Sequence, residues 1–305
     1  MKGSIGNLVF RSPSSDGSVV SEKPISVKNP RTSAQQRQRM KWGNLVQNYK
    51  YLGDTIQMAF ESKTGRASDY NMFVKYNSHR QPVYLTRQEI ENGGCVAGEY
   101  MITQGSLTSI VVTGTGVNSV TDISLGSLII SDKTTVAEFA TAVVQNNKDY
   151  NNHDQISYHR VWQHVNVQTQ IPYCTADATK VTLDNKNNAL LWSVVDKAGF
   201  QTVNGKLGHL PSDSADGAFC WVHTRKSKDG GLLLSSQSLI SINSLLSAYT
   251  SQDAYETAVA TYGGESNVFM MPGSNASAKN ITVTTPSAGG GGSSSGGESD
   301  ISGDL

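Results

Sequence analysis

The chain has little of what defines several large protein classes. It holds only 3 cysteines in 305 residues, Cys95, Cys174 and Cys220, without Cys-x-x-Cys spacing, which argues against a disulfide framework or a cysteine zinc site. No run of 18 apolar residues occurs, so no membrane span is expected. The first residues lack the apolar stretch of a secretion signal, which predicts a cytoplasmic site of synthesis.

Charged residues are also scarce, at 16%, and hydrophobic residues reach only 37%, while glycine (29), serine, threonine and asparagine are abundant. Such a composition favours short strands joined by many turns. We therefore predict an α+β, mainly β fold: a β-sandwich-like body with helical insertions, plus an N-terminal β-hairpin and a helical hairpin. Three regions are expected, an assembly element at 1–80, the β-rich body at 81–285, and a Gly/Ser linker with an acidic tail at 286–305.

The N-terminal region has a clear local pattern. Asp16-Gly17 separates β-prone runs at 8–10 and 19–20, which predicts a hairpin, and a further strand is expected at 25–27. Thr32 and Gln35 form a capping box that opens a helix. An apolar stripe predicts that this helix continues to Gly65, and Ser68 begins a second helix; the stripe is Leu45, Tyr49, Leu52, Ile56 and Phe60.

The body shows two more capping boxes, which begin at Thr86 and Thr135, and a last helix is expected at 250–262. Strands are predicted at 100–102, 107–112, 125–130, 155–170, 180–183, 190–195, 218–224 and 281–284.

Charge is unevenly divided along the chain. Residues 1–80 hold 13 Lys and Arg against 5 Asp and Glu, a net of +8, whereas residues 81–305 hold 12 against 20, a net of −8. This asymmetry favours head-to-tail contact between copies, or attraction of an acidic protein or a nucleic acid.

No pattern for catalysis or metal binding emerges. His159 and His164 lie five residues apart on a predicted strand and so face opposite sides, while His209 and His223 stand alone. No Gly-x-Ser-x-Gly elbow is present, and the turn at 113–116 lacks the Gly-Lys-Ser/Thr ending of a phosphate loop. The central carboxylates fall in turn-like contexts without paired spacing: Asp177, Asp184, Asp196, Asp213 and Asp216. We predict a non-enzymatic protein with no catalytic, cofactor-binding or metal-binding residues.

The start of the first helix is the most basic segment, with Lys41 and Trp42 beside three arginines, Arg31, Arg37 and Arg39. Such an array could contact phosphates, with Trp42 stacking on a base. These positions do not share one helix face, however, and three glutamines dilute the charge. Guanidinium and amide groups also suit contacts to another subunit, which is the interpretation we favour.

Residues 3–77 resemble an uncharacterised family encoded by gut Bacteroidetes and their bacteriophages, including crAss-like phages. The resemblance rests on Gly-x-x-Gly-Asn-x-Val at the N-terminus, Asn29-Pro30-Arg31-Thr32 with Ala34-Gln35 and Gln38-Arg39, and Asp69-Tyr70-Asn71-Met72-Phe73. Because that family has no established activity, the resemblance implies no catalytic residue. Its occurrence in phage genomes implies a component of the virion.

The hypothesis that follows is a structural protein of the phage neck, tail or capsid exterior that contacts other copies of itself and other virion proteins. The predicted contact residues are Gly6, Asn7, Val9, Phe10, Arg31, Gln35, Arg37 and Arg39. Two alternatives stay open. One is a nucleic-acid-binding protein that uses the basic half. The other is a carbohydrate- or surface-binding adhesin with a groove lined by tryptophans such as Trp162, Trp192 or Trp221.

The C-terminal residues Glu-Ser-Asp-Ile-Ser-Gly-Asp-Leu also allow two interpretations. They are either a frayed terminus or an acidic docking peptide.

Overall fold

A computed structural model describes residues 3–5, 8–14, 17–22, 32–56, 58–61, 67–80, 82–114, 118–209 and 216–262. The strands predicted at 25–27 and 281–284 and the whole region 286–305 lie outside these residues. The helices are α1 (Ser33–Leu52), α2 (Asp69–Asn77), α3 (Arg87–Glu91), α4 (Val136–Asn146), α5 (Leu246–Thr250) and α6 (Gln252–Tyr262).

The strands belong to several antiparallel sheets. They are β1 (Gly3–Ile5), β2 (Leu8–Ser14), β3 (Gly17–Glu22), β4 (Met101–Thr103), β5 (Val112–Thr113), β6 (Val120–Ser124), β7 (Gln155–Val165), β8 (Pro172–Thr182), β9 (Gln201–Val203), β10 (Lys206–Gly208), β11 (Gly217–Lys226), β12 (Leu232–Leu234), β13 (Gln237–Ser238) and β14 (Ile240–Ser241). The fold is therefore α+β and mainly β, as predicted.

The centre of the body is a five-stranded sheet in the order β12-β11-β7-β8, with β14 also paired to β11. Its register places Tyr158 of β7 opposite Trp221 of β11 and Thr179 of β8. Because side chains alternate along a strand, this sheet has two distinct faces, and both are partly covered by other elements.

One face packs against a second sheet, β5-β6-β10-β9, and against α4. Tyr158 and Trp221 from the five-stranded sheet share a core with Ile123 of β6, Leu207 of β10 and Phe139 of α4. Two sheets that share one apolar core form the expected sandwich-like body, and α4 is one of its helical insertions.

The opposite face is covered by α1 and α2. Leu45 and Phe73 from these helices join Cys174, Cys220 and Val222 of the sheet in a second buried cluster. Tyr49 of α1 also packs against the rings of Tyr70 and Phe73. The predicted helical hairpin therefore shares a core with the five-stranded sheet of the body.

All three capping boxes form as predicted. In each, the threonine hydroxyl accepts a hydrogen bond from the backbone N–H of the third helical residue, and the side chain of that residue accepts one from the threonine N–H. Ser68 caps α2, and the last helix begins two residues later than expected, at Gln252.

The prediction that the first helix reaches Gly65 is wrong, since α1 ends at Leu52. The backbone and the hydroxyl of Thr55 both bond to the Leu52 carbonyl, and the hydroxyl distance is 2.9 Å. These bonds tighten the chain into a turn. Ile56 and Phe60 are nevertheless buried, so the apolar stripe identified core residues correctly but not the helix end.

Several strand predictions also need correction. At 107–112 only Val112 belongs to a named strand, β5, and the strand predicted at 155–170 ends at Val165. At 125–130 Gly126 has φ +60° and the Leu128 N–H bonds to the Leu125 carbonyl, which makes a turn. At 190–195 the chain forms a 3-10 turn, Leu191–Ser193, in which Leu191 and Val195 are buried at helical spacing. The strand predicted at 180–183 is the end of the longer β8, whose residue Asp177 lies in a strand and not in a turn.

The N-terminal strands form a separate sheet in the order β1-β2-β3. The predicted hairpin corresponds to β2 and β3, with Phe10 opposite Val20, and β1 adds a strand with Gly3 opposite Phe10. Among the described residues, backbone hydrogen bonds of these strands join only the three of them.

Candidate subunit-contact site

Of the predicted contact residues in the N-terminal arm, Val9 and Phe10 lie on β2, and the other two are not among the described residues. Val9 is half-buried in β2 opposite Ser4 and Ser21, and Phe10 follows it in the same strand. Gly6, Asn7 and Arg31 lie outside the described residues. Within the described part of the chain, β1 and β3 each pair with β2 on one side only, so each has one edge without a partner strand.

The predicted contact residues on α1 have partly local roles. Gln35 is exposed, and its side-chain oxygen accepts a hydrogen bond from the Thr32 N–H at 3.3 Å, which completes the cap. Arg39 is exposed and donates to Gln36 at 3.4 Å. Arg37 lies in α1, but its side chain is outside the description. Lys41 and Trp42 follow on the surface, and Trp42 is 42% exposed.

Lys41 and Trp42 also border a pocket of about 230 Å³ between α1 and the C-terminal end of α2, which we call the α1–α2 pocket. Its described lining residues are Lys41, Trp42, Leu45, Asn77, Ser78, His79, Arg80, Pro82 and Tyr100. None of these is a carboxylate. The pocket therefore joins two cationic side chains to an exposed aromatic ring.

Buried amide groups connect the elements around this pocket. Asn44 donates to the Tyr100 hydroxyl at 2.8 Å and exchanges two hydrogen bonds with the backbone of Val96. Asn77 exchanges two bonds with the backbone of Met101 and donates a third to the Phe73 carbonyl. These bonds hold α1 and α2 to the segment that contains Tyr100.

The hydrogen-bonding groups that remain in the pocket are mainly donors. Burial raises the pKa of Tyr100, although the bond from Asn44 acts in the opposite direction, so the phenol stays protonated. Its oxygen accepts from Asn44, and among the described residues no acceptor is seen for its O–H. Arg80 donates to the Glu99 carbonyl at 2.7 Å and has further N–H groups.

A larger groove of about 490 Å³ lies on the five-stranded sheet beside the turn after α1. His159 lines it, and its Nε2 lies 3.0 Å from the Ser157 hydroxyl. Among the described residues His159 Nδ1 has no hydrogen-bond partner, and burial lowers the pKa of this histidine to about 4. In the described part of the chain, no carboxylate bonds to this imidazole and orients the ring.

The backbone around Ser157 offers no oxyanion hole either. The strand β7 is paired on both sides, with β8 and β11, so its N–H groups are used in the sheet. The geometry at Ser157 and His159 therefore does not support acyl transfer.

A buried ionic cluster is the main feature that sequence reasoning missed. His223 was expected to stand alone, but its Nε2 lies 2.9 Å from Asp154 Oδ2, and Tyr150 stacks on its ring. Arg225 binds both oxygens of Asp154, at 2.8 and 2.7 Å. Burial would raise the pKa of Asp154, but the bonds from Arg225, His223 and the Asn151 backbone outweigh it and lower this pKa to about 2.

The tryptophans differ in exposure. Trp221 is fully buried and its indole donates to the Gly199 carbonyl at 2.7 Å, so it does not line a surface groove. Trp192 and Trp162 are half-buried, and the cations of Lys197 and Arg160 lie over their rings. Of the three tryptophans proposed for a groove, Trp221 is therefore in the core, whereas Trp162 and Trp192 keep partly exposed rings.

In the described part of the chain, no group of three or more His, Cys, Asp and Glu side chains is arranged to hold a metal ion. No described helix is long and apolar enough to cross a membrane. The three cysteines are buried and free.

Comparisons with models of protein families, with curated proteins and with solved structures found no match to this chain. The resemblance over residues 3–77 therefore stays a prediction from motifs.

Proposed function

We propose that this chain is a non-enzymatic structural protein of a phage virion, which acts through contacts with other copies of itself and with other virion proteins. The observation that carries this proposal is the N-terminal sheet, whose outer strands β1 and β3 each have an unpaired edge among the described residues. The phage context comes from the motif resemblance alone.

An unpaired strand edge presents a row of backbone N–H and C=O groups that another strand can bind. Natural proteins usually cover or shorten such edges unless they use them, and addition of a strand from a partner is a common mode of protein recognition. The edges of β1 and β3 are therefore suited to a strand from a neighbouring subunit.

The helix α1, which follows this sheet in the sequence, adds exposed polar side chains. Gln35, Arg39 and Lys41 are exposed on the first turns of the helix. Residues 1–80 carry a net charge of +8 and residues 81–305 a net of −8. Contact between the basic region of one copy and the acidic region of the next would be favourable, and such head-to-tail contacts build rings or filaments.

The mass of the purified full chain in solution tests this proposal. We expect association that increases with concentration, and loss of that association when residues 1–12 are deleted, because this deletion removes β1 and most of β2. Lys148→Gln, at an exposed site on the body, serves as a control that should associate normally. Circular dichroism would check that the shortened chain still folds. A full chain that is monomeric at every concentration would refute the proposal.

Nucleic-acid binding remains a second candidate because Lys41 and the exposed ring of Trp42 are neighbours. A phosphate contact beside a stacking ring is typical of proteins that bind single strands. This function requires DNA or RNA affinity that falls steeply with added salt. Absence of binding at low salt would remove it.

A further inference from the structure

We propose that the α1–α2 pocket binds the acidic C-terminal segment, residues 298–305, of a neighbouring copy of this chain. The inference rests on the proposed self-association and names one of its contacts. It assigns an occupant to a pocket that none of the predicted contact residues lines.

The first argument is the polarity of the pocket. Lys41 and Arg80 supply positive charge, and the Tyr100 O–H supplies a neutral donor for which no acceptor is seen among the described residues. The Asn77 amide, by contrast, is already fully engaged with Phe73 and Met101. A site whose available groups are donors and cations fits a carboxylate, which is an acceptor only.

The second argument is the apolar part of the wall. The pocket is also lined by Leu45, Pro82 and the exposed ring of Trp42. An occupant that fits this surface needs an aliphatic side chain close to its carboxylates, because apolar contact area adds affinity and the cations fix orientation.

The third argument is the composition of the segment 298–305. It carries Glu298, Asp300 and Asp304, together with the aliphatic residues Ile301 and Leu305, and no Lys or Arg. This combination matches both parts of the pocket. The segment is also separated from α6 by a long stretch, from Tyr262 to Glu298. At about 3.5 Å per residue in an extended chain, that stretch is long enough to reach an adjacent copy.

A direct binding measurement tests the pocket. The receptor is the full chain with Glu298→Gln, Asp300→Asn and Asp304→Asn, so that its own segment does not compete. The probe is a labelled synthetic peptide of residues 297–305, followed by fluorescence anisotropy at low salt. We expect saturable binding that weakens as salt is added.

Variants of this receptor then locate the site. Lys41→Gln with Arg80→Gln should weaken binding by about tenfold or more, since charge-assisted hydrogen bonds are lost. Tyr100→Phe removes the O–H donor and also the acceptor of the Asn44 bond; with folding checked by circular dichroism, it should weaken binding by about fivefold. The matched control is Lys50→Gln with Lys148→Gln, which removes the same charge at exposed sites outside the pocket and should leave affinity nearly unchanged.

A second measurement asks whether the segment joins different copies. Without added peptide, the three tail substitutions should reduce the association of the full chain. If the peptide does not bind, or if the pocket and control variants bind it equally, the assignment of the pocket is refuted. If the peptide binds but the tail substitutions leave association unchanged, the segment does not link neighbours and the proposal fails. In both cases the test with residues 1–12 still decides the proposed function independently.

Discussion

His223 Nε2 lies 2.9 Å from Asp154 Oδ2, and both side chains are buried, with 1% and 3% of their surfaces exposed. Asp154 immediately precedes β7, and His223 lies on the neighbouring strand β11. Arg225, also on β11, adds two bonds to the same carboxylate. One carboxylate therefore ties the start of β7 to β11, and its protonation should affect the stability of the body.

Acidification should cost stability as Asp154 becomes protonated. Its pKa is about 2 in the folded chain against 3.8 for the unperturbed group, so the unfolded chain takes up the proton first as pH falls. The contribution, about 2 kcal/mol, is complete above pH 4 and is lost between about pH 4 and pH 2. Urea unfolding at a series of pH values measures it.

Asp154→Asn is the control for this loss of stability between about pH 4 and pH 2. The variant should be less stable than the native chain at pH 7, because Arg225 and His223 lose their anionic partner. Its free energy of unfolding should then change less between pH 4 and pH 2. Equal pH dependence in the two proteins would contradict the assignment.

His159 should cause a second loss of folding stability on acidification, at higher pH than Asp154. Burial lowers its pKa from 6.5 to about 4, so the folded chain binds the proton less readily than the unfolded chain. Stability should therefore fall as pH is lowered from about 6.5 to about 4, by about 3 kcal/mol. Urea unfolding at pH 7.5 and pH 4.5 tests this, and His159→Gln should remove most of the difference. The control His164→Gln should keep the stability difference between the two pH values. If His164→Gln removed that difference, His159 would not be the residue responsible for it.

Local patterns predicted the helix starts better than they predicted the ends or the long-range contacts. The capping boxes at Thr32, Thr86 and Thr135 need only four adjacent residues, so the sequence contained all the information. The end of α1 coincides with a turn in which the Thr55 N–H, the Thr55 hydroxyl and the Ile56 N–H all bond to the Leu52 carbonyl. The apolar stripe continues through this turn, so the spacing of apolar residues does not mark the helix end.

The ionic cluster could not be predicted for a different reason. Asp154 and His223 are 69 positions apart, and only the register of β7 with β11 brings them together. The α1–α2 pocket likewise combines Lys41 and Trp42 with Arg80 and Tyr100 from distant parts of the chain. Single-sequence patterns do not specify such pairings.

Gln163 should be among the most costly polar residues to replace. Its buried amide accepts from the Ala97 N–H at 2.9 Å and from Asn243 at 2.8 Å, and it donates to the carbonyls of Cys95 and Tyr173, each at 3.0 Å. Gln163→Leu would leave several of these groups buried without a partner. We expect a loss of about 3 kcal/mol in the free energy of unfolding. Gln168→Leu, at an exposed turn, is the control and should change stability little; similar losses in both variants would contradict the argument.

The three cysteines should resist alkylation in the folded chain. Each is fully or almost fully buried, and burial raises the pKa of both Cys95 and Cys220. The thiolate is the reactive form, so both access and ionisation oppose the reaction. Iodoacetamide at pH 8 followed by mass measurement should give no modified thiol in the native protein and three in guanidinium. Ser127→Cys, at an exposed turn, should add one rapidly modified thiol under native conditions and thereby show that the reagent is active. Rapid native labelling of Cys95, Cys174 or Cys220 would mean that the core around the five-stranded sheet opens readily, which its packing against α1 and α2 does not predict.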